Sequence, residues 1–564
     1  MKYENLKLMT IFSLSTVAAL LFGWYSLATN PNFQDYKGDQ WNGYKELPAS
    51  DSLFENGYDV LHYDIGIDLF FKEKKIEGEV SIKFVPLKQL NSLTLNFSDK
   101  MSVEKVISEN GEEKFNHKSN LLTVDKTLEK GDTTSITIKY SGNPSKNKNF
   151  FFSKINGVEV VYTLNEPENA RDWIPCNDRP YDKATTNISI TADSLFTSVS
   201  IGKLDSVTTK SETGKKTYYW HTAYPVATYL ISFMSSRYVV GTSEYVSSLN
   251  GSKLPLYIYG FPWQSGKYKE ILDDHKEMIG IFENYFGEYP FAGEKYAVAA
   301  FLWEFGAMEY PTVSGFGSGF IDSYPAQKNV FVHELAHHWF GDAVTLSDWK
   351  DIWLNEGFAT FCEWLYFEEL GKRNGKDYLT NIFDYAKLPE MLEGKIYDPQ
   401  DLFGSNVYIK GAWVLRMLRK EMGDEQFFKG LRAYFQKFKF RNSSTSDFVT
   451  VMTQFHGNDL TTFFDQWVYS GRGVVMLSVS KPVVKKNGSK YSVEVEIIQK
   501  QQEKRIYDFL LDIEFKEGGK EGKSKTETKR VKNKKEKLSF ELDFYPKELK
   551  LDPNNFLLFW QLDD

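Results

Sequence analysis

The chain has 564 residues and a net charge of −8, and it is 41% hydrophobic, 26% charged and 16% aromatic. That length predicts several domains, because single cores stop growing well below it. The acidic balance argues against a nucleic-acid partner, since phosphate contact needs a basic face. With only Cys176 and Cys362, a disulfide framework is excluded, while one isolated bridge stays open.

Met9 to Ala28 is the only long apolar segment, and it follows Lys2 and Lys7. Ser26-Leu27-Ala28 offers the small residues of a signal-peptide cleavage point, and a span of about 20 apolar residues could equally stay as a membrane anchor. Residues 1–28 therefore predict that the remainder leaves the cytoplasm, exported to a periplasmic or extracellular space or attached to a membrane facing away from the cytoplasm. Residues 29–52 read as a polar linker.

Residues 53–260 read as β structure. Tyr63, Ile65, Ile67 and Leu69 alternate with polar or small neighbours, as do Val80, Ile82 and Phe84, then Leu93, Leu95 and Phe97, then Ile136, Ile138 and Tyr140. Turn pairs such as Asn110-Gly111 and Gly131-Asp132 separate the runs. The pattern predicts a β-sandwich or saddle-like sheet domain without a helix of any length.

The period changes near Pro262. Ile271, His275, Met278, Ile279 and Phe282 have helical spacing, and residues 261–473 read as mainly helical apart from a strand at Tyr296 to Trp303. Gly411 to Glu421 and Phe427 to Phe438 are further helical candidates; the aromatic stripe of the second reads as core. From about Met476, Tyr491, Val493, Val495 and Ile497 alternate again, as do Phe509, Leu511, Ile513 and Phe515, so residues 474–564 predict a short β-sandwich. Lys516 to Lys537 is rich in Lys, Glu and Gly and reads as a long exposed hairpin loop. The fold class is thus multidomain α+β: an N-terminal all-β domain, a mainly α domain and a C-terminal β-sandwich.

The chemistry is concentrated between Val332 and Trp364. His333-Glu334-Leu335-Ala336-His337 places two imidazoles four residues apart, on one face of a helix, where they can share a metal ion. Glu334 turns away from that pair and is placed to take a proton from water rather than to bind the metal. Glu356, separated from His337 by eighteen residues and at the start of a second helical run, is the candidate third ligand. Two His and one Glu leave a tetrahedral position open, as in catalytic rather than structural zinc sites. One zinc per chain is expected. His338 faces about 100° away from His337 and reads as a packing residue.

Taken together these residues resemble the aminopeptidase N-like family of zinc metallopeptidases, whose pattern is HExxH, eighteen residues, then Glu. Gly306-Ala307-Met308-Glu309 resembles its substrate-binding GxMEN motif, and Tyr408-Ile409-Lys410-Gly411-Ala412 its YxKGA segment. Ala170-Arg171, Pro175 to Pro180 and Asp182-Lys183-Ala184 resemble a stretch of its N-terminal domain, and Phe464-Asp465-Gln466-Trp467 the end of its catalytic domain. The resemblance implies a saddle-like N-terminal domain and a thermolysin-like catalytic domain. With only about 90 residues after Gly473, it also implies a chain without the large helical C-terminal domain of many members.

The implied function is zinc-dependent hydrolysis of the N-terminal bond of peptides with a free amino terminus. Zinc would sit on His333, His337 and Glu356, with Glu334 as general base and Tyr408 as catalytic hydrogen-bond donor. Gly306, Ala307, Met308 and Glu309 would bind substrate, with Glu166 from Thr163-Leu164-Asn165-Glu166 as a second amine-binding acid. Two departures stand out: Tyr310 replaces the motif's Asn, and Leu164 replaces the Gln that precedes that Glu in the family. Alternatives are a zinc endopeptidase, an epoxide hydrolase, or a non-catalytic member of the fold, the last disfavoured because no zinc ligand is lost. The preferred first residue and the oligomeric state have no signal in the sequence.

Overall fold

A computed structural model describes residues 56–562 except 305, 389–390, 470–473, 502–504 and 520–521. The leader or anchor expected at residues 1–28 and the linker at 29–52 lie outside the described residues. Among those described, no helix is long and apolar enough to cross a membrane. The chain divides into two compact units, one running to Trp349 and including Lys437–Ser443, the other made of Lys350–Gln436 and Ser444–Asp564.

In the first unit the alternating runs become long strands. Tyr58–Phe70 buries Tyr63, Ile65, Ile67 and Leu69 and pairs antiparallel with Lys75–Pro86, with Ile65 opposite Val80. It is the parallel neighbour of Ala184–Asp193, in an eight-stranded sheet whose edges are Lys203–Lys210 and Gly111–Glu113. A four-stranded sheet (Thr197–Ser200, Phe233–Ser236, Val158–Thr163, Phe150–Ile155) accompanies it. From Tyr58 to Gly260, among the described residues, the helical content is limited to single 3₁₀ turns, as the period of two predicts.

Alternation identifies strands but not the sheet they join. Val239–Val246 and Lys253–Gly260, which continue the N-terminal β pattern, belong to a mixed five-stranded sheet with Tyr296–Phe301, Ser314–Gly317 and Ala307–Met308, in that order. The last two strands, with four and two residues, are too short to show a period. Helix α1 (Tyr268–Phe286) buries its expected stripe of Ile271, His275, Met278, Ile279 and Phe282. Helix α2 (Lys328–His337) is anchored by Phe331, which stacks on Phe316 at 4.1 Å and meets Tyr324 edge-on. Such aromatic pairs add about 0.5–1.5 kcal/mol beyond burial.

The second unit holds α3 (Trp353–Asn374), α4 (Ser405–Met422) and all but the last two residues of α5 (Asp424–Phe438), then a β-sandwich. One of its sheets contains Lys490–Gln499 and the other Phe509–Lys516, the two alternating runs of the sequence. The expectation of a long loop at Lys516 to Lys537 is wrong. Ser524–Val531 pairs with Phe509–Lys516, and Lys535–Leu542 pairs with Lys490–Gln499. Ser524–Val531 exposes most of its side chains to water, so its strand is held by backbone pairing and by cross-strand hydrogen bonds from Ser524 to Glu514 and Thr528 to Asp512 rather than by an apolar period.

Candidate functional site

Helix α2 carries His333, Glu334 and His337, and from Asn329 onward all its residues are buried. The ring centroids of His333 and His337 are 4.7 Å apart and steeply inclined, the arrangement that one turn of helix imposes. His337 Nδ1 lies 3.2 Å from the Phe340 carbonyl, which fixes the ring and leaves Nε2 for a metal. The backbone turns tightly around this imidazole: Gly341 has φ +142°, and a Cβ there would stand 2.9 Å from His337 Nδ1. Lys183, from the Asp-Lys-Ala segment, donates from Nζ to the carbonyls of Asp342 (2.8 Å) and Ala343 (3.0 Å), holding the loop that follows the helix. Burial pushes its ammonium down to about 7.

His338 is the packing residue its angle predicts. Fully buried, it places Nδ1 2.8 Å from the Tyr289 hydroxyl and Nε2 3.1 Å from the Ser314 hydroxyl. Burial drives its pKa well below the usual imidazole range, so it is held neutral.

Gly306 to Met308 reaches the site from the edge of the five-stranded sheet. Ala307 pairs with Phe316 and Met308 with Gly315, and the next residue, Glu309, is buried. Carboxylate oxygens of Glu309 and Glu334 and a ring nitrogen of His337 all lie within 4.8 Å of one another. Nearby Asp342 has its pKa raised well above the carboxylate range by burial, and next by the charge of Glu309. Glu166 is half-buried at the end of the segment that follows Val158–Thr163.

In the second unit Glu356 occupies the first turn of α3 and is 3% exposed. Tyr408 is half-buried in the first turn of α4. These helices touch backbone to backbone: a Cβ on Gly357 would stand 2.8 Å from the Gly411 Cα, and one on Gly411 equally close to the Gly357 Cα. Further along, Arg416 and Arg419 of α4 donate to Glu368 of α3 at 3.1–3.2 Å. Burial alone would raise the Glu368 pKa, but the two guanidiniums, Arg419 foremost, outweigh it and hold the carboxyl at about 2.

His333 and His337 of the first unit and Glu356 of the second are each buried donors of the kind that hold a metal ion. Two imidazoles and a carboxylate, all buried, suit zinc, and three ligands leave a fourth position open. Sequence reasoning misses Gly341, Gly357 and Gly411 as supports. Their signal is positional, since each follows a functional side chain within four residues.

The peptidase M1 N-terminal domain matches residues 60–230, and the peptidase family M1 domain matches residues 270–467. The chain belongs to the M1 peptidase family. Mitochondrial aminopeptidase 2 of Saccharomyces cerevisiae is 28% identical over 500 residues, covering 81% of this chain and 51% of that protein. An M1 zinc metallopeptidase from Deinococcus radiodurans, solved with a Tyr-Ser-Ala substrate, is 26% identical with a TM-score of 0.65, over 74% of this chain and 95% of that one. Legionella pneumophila aminopeptidase A, solved with aspartic acid, shares the fold at a TM-score of 0.76 and 20% identity, over 90% of this chain and 60% of that one. The chain spans about half the length of the curated M1 relatives it matches. Both cysteines of this M1 chain are free and buried.

Proposed function

We propose that the protein is a zinc-dependent aminopeptidase that hydrolyses the first peptide bond of peptides with a free amino terminus. The observation that carries the reading is the convergence of Glu309 and Glu334 on His337, itself one of the three metal donors. Zinc, when bound, supplies a Lewis acid and lowers the pKa of water from about 16 toward about 7. Glu334 takes the proton of the attacking water and delivers it to the leaving amine. Tyr408 donates a hydrogen bond to the developing oxyanion, a contact of the kind whose loss costs about 10²- to 10³-fold in kcat. The backbone of Gly306 to Met308, at a sheet edge, is suited to pair with the substrate as an added strand. Glu309 and Glu166 hold the α-ammonium and so set the register from the first residue.

Paired substitutions test the assignment. Glu356→Ala should lose both metal and activity, whereas Glu334→Gln should keep the metal and lose turnover. Normal zinc content in the Glu356→Ala protein would remove Glu356 from the ligand set. The apolar segment behind Lys2 and Lys7 further supports export or membrane attachment through residues 9–28. Cell fractionation that finds the intact full-length chain soluble in the cytoplasm would overturn that part.

A further inference from the structure

Glu309 and Glu166 come from segments far apart in the chain, and an ammonium site made of two acids works only if their separation is fixed. Tyr310, next to Glu309, is 1% exposed. Its hydroxyl donates to the Thr163 carbonyl at 2.6 Å, spanning 147 positions of sequence. The Asn165 backbone N–H lies at the same phenol oxygen. One hydroxyl therefore bridges the chain immediately before Glu166. A second phenol runs the other way: Tyr162 donates to the Leu302 carbonyl at 3.1 Å, from the strand that leads to Glu166 onto the segment that leads to Gly306.

The Glu166 side of this bridge is itself stiff. Asn165 is fully buried, donates to the Ile231 carbonyl and accepts from Trp173 Nε1 at 3.0 Å. The Asn169 side-chain amide donates to the Glu166 carbonyl at 2.9 Å. A stiff loop transmits the position of Thr163 to Glu166, so the phenol that holds Thr163 also sets the distance between the two acids.

From this geometry we infer that Tyr310 is a positioning residue for the amine site: its phenol ties the Glu166 segment to Glu309 and so sets the preference for a free amino terminus. An Asn at this position, as in the motif the sequence resembles, would be too short for the same reach. The inference rests on the aminopeptidase reading of Glu166 and Glu309.

The test compares kcat and KM on one short peptide with and without an N-acetyl group. It uses the zinc-loaded full chain, Tyr310→Phe, Tyr310→Asn and Tyr162→Phe. Tyr310→Phe keeps the ring and removes only the hydroxyl. It should raise KM for the free peptide about tenfold with kcat within about twofold, and reduce the free-over-acetylated preference by the same factor. Tyr310→Asn should shift the preference in the same direction, which keeps the inference testable if one variant fails to fold. Tyr162→Phe removes a phenol bond that ends at Leu302, seven positions before Glu309, rather than beside that acid, and should leave the preference within about twofold. In a Glu166→Ala background, Tyr310→Phe should have no further effect on the preference. An unchanged preference in Tyr310→Phe, or an equal loss in Tyr162→Phe, overturns the assignment. If the unsubstituted enzyme itself ignores acetylation, the aminopeptidase reading fails instead, and the two failures are thereby told apart.

Discussion

Helix α2 and the pair α3–α4 each contribute to the proposed chemistry, but they are specified in different ways. In α2 the two imidazoles are one helical turn apart, and any helix over Lys328–His337 brings their rings together. Glu356 and Tyr408 lie on different helices, more than fifty positions apart in sequence. Their relation is set by the Gly357–Gly411 contact and by the Glu368 carboxyl shared between Arg416 and Arg419. The first arrangement is local and survives repacking around it. The second is tertiary, so substitutions that never touch a reacting group can disturb it.

Gly411→Ala is the most damaging way to exploit that difference. A methyl 2.8 Å from the Gly357 Cα has to retreat by about 1 Å to reach ordinary contact, and α4 moves with it. Misplacement of that size in catalytic groups costs up to about 10²-fold. The kcat of Gly411→Ala should therefore fall about 10- to 100-fold, with secondary structure by circular dichroism unchanged. Activity within about threefold of the parent would mean that the helix contact does not govern the chemistry.

A smaller effect should appear in stability. The Glu368 pKa is about 2 in the folded chain against an ordinary 4.5, so its ionised form is stabilised by folding. That contribution is fully present above about pH 4.5 and is lost as pH falls toward 2. The urea midpoint of the parent should exceed that of Glu368→Gln near pH 6, and the gap should narrow steadily between pH 4.5 and 2.5. A gap independent of pH would show that Glu368 contributes packing rather than charge.

The same local-versus-tertiary distinction explains what could be read from the sequence. The strands with Tyr63, Ile65 and Ile67, helix α1 and the imidazole pair all follow from periods of 2 or 3.6 residues. Sheet membership of Val239–Val246 does not, because alternation carries no record of the partner strand. Ser524–Val531 was invisible for a related reason: its side chains face mostly water, and no apolar period marks a strand held by its neighbours. Within the site, the donors and Glu309 stand in recognisable motifs. The phenol bridge from Tyr310 to Thr163 depends on how a strand and a distant loop meet, and nothing in the spacing of either announces it.

If paired acids read a free amino terminus, kcat/KM on a single peptide should depend strongly on whether that terminus carries an acetyl group. A hydrogen bond to a charged group contributes about 1.5–3 kcal/mol, roughly tenfold or more per contact. With Glu309 and Glu166 both engaged, acetylation should lower kcat/KM by at least about 100-fold, and Glu309→Ala should abolish most of that difference. Comparable rates on the two substrates would rule out amine recognition by these acids and point to an endopeptidase.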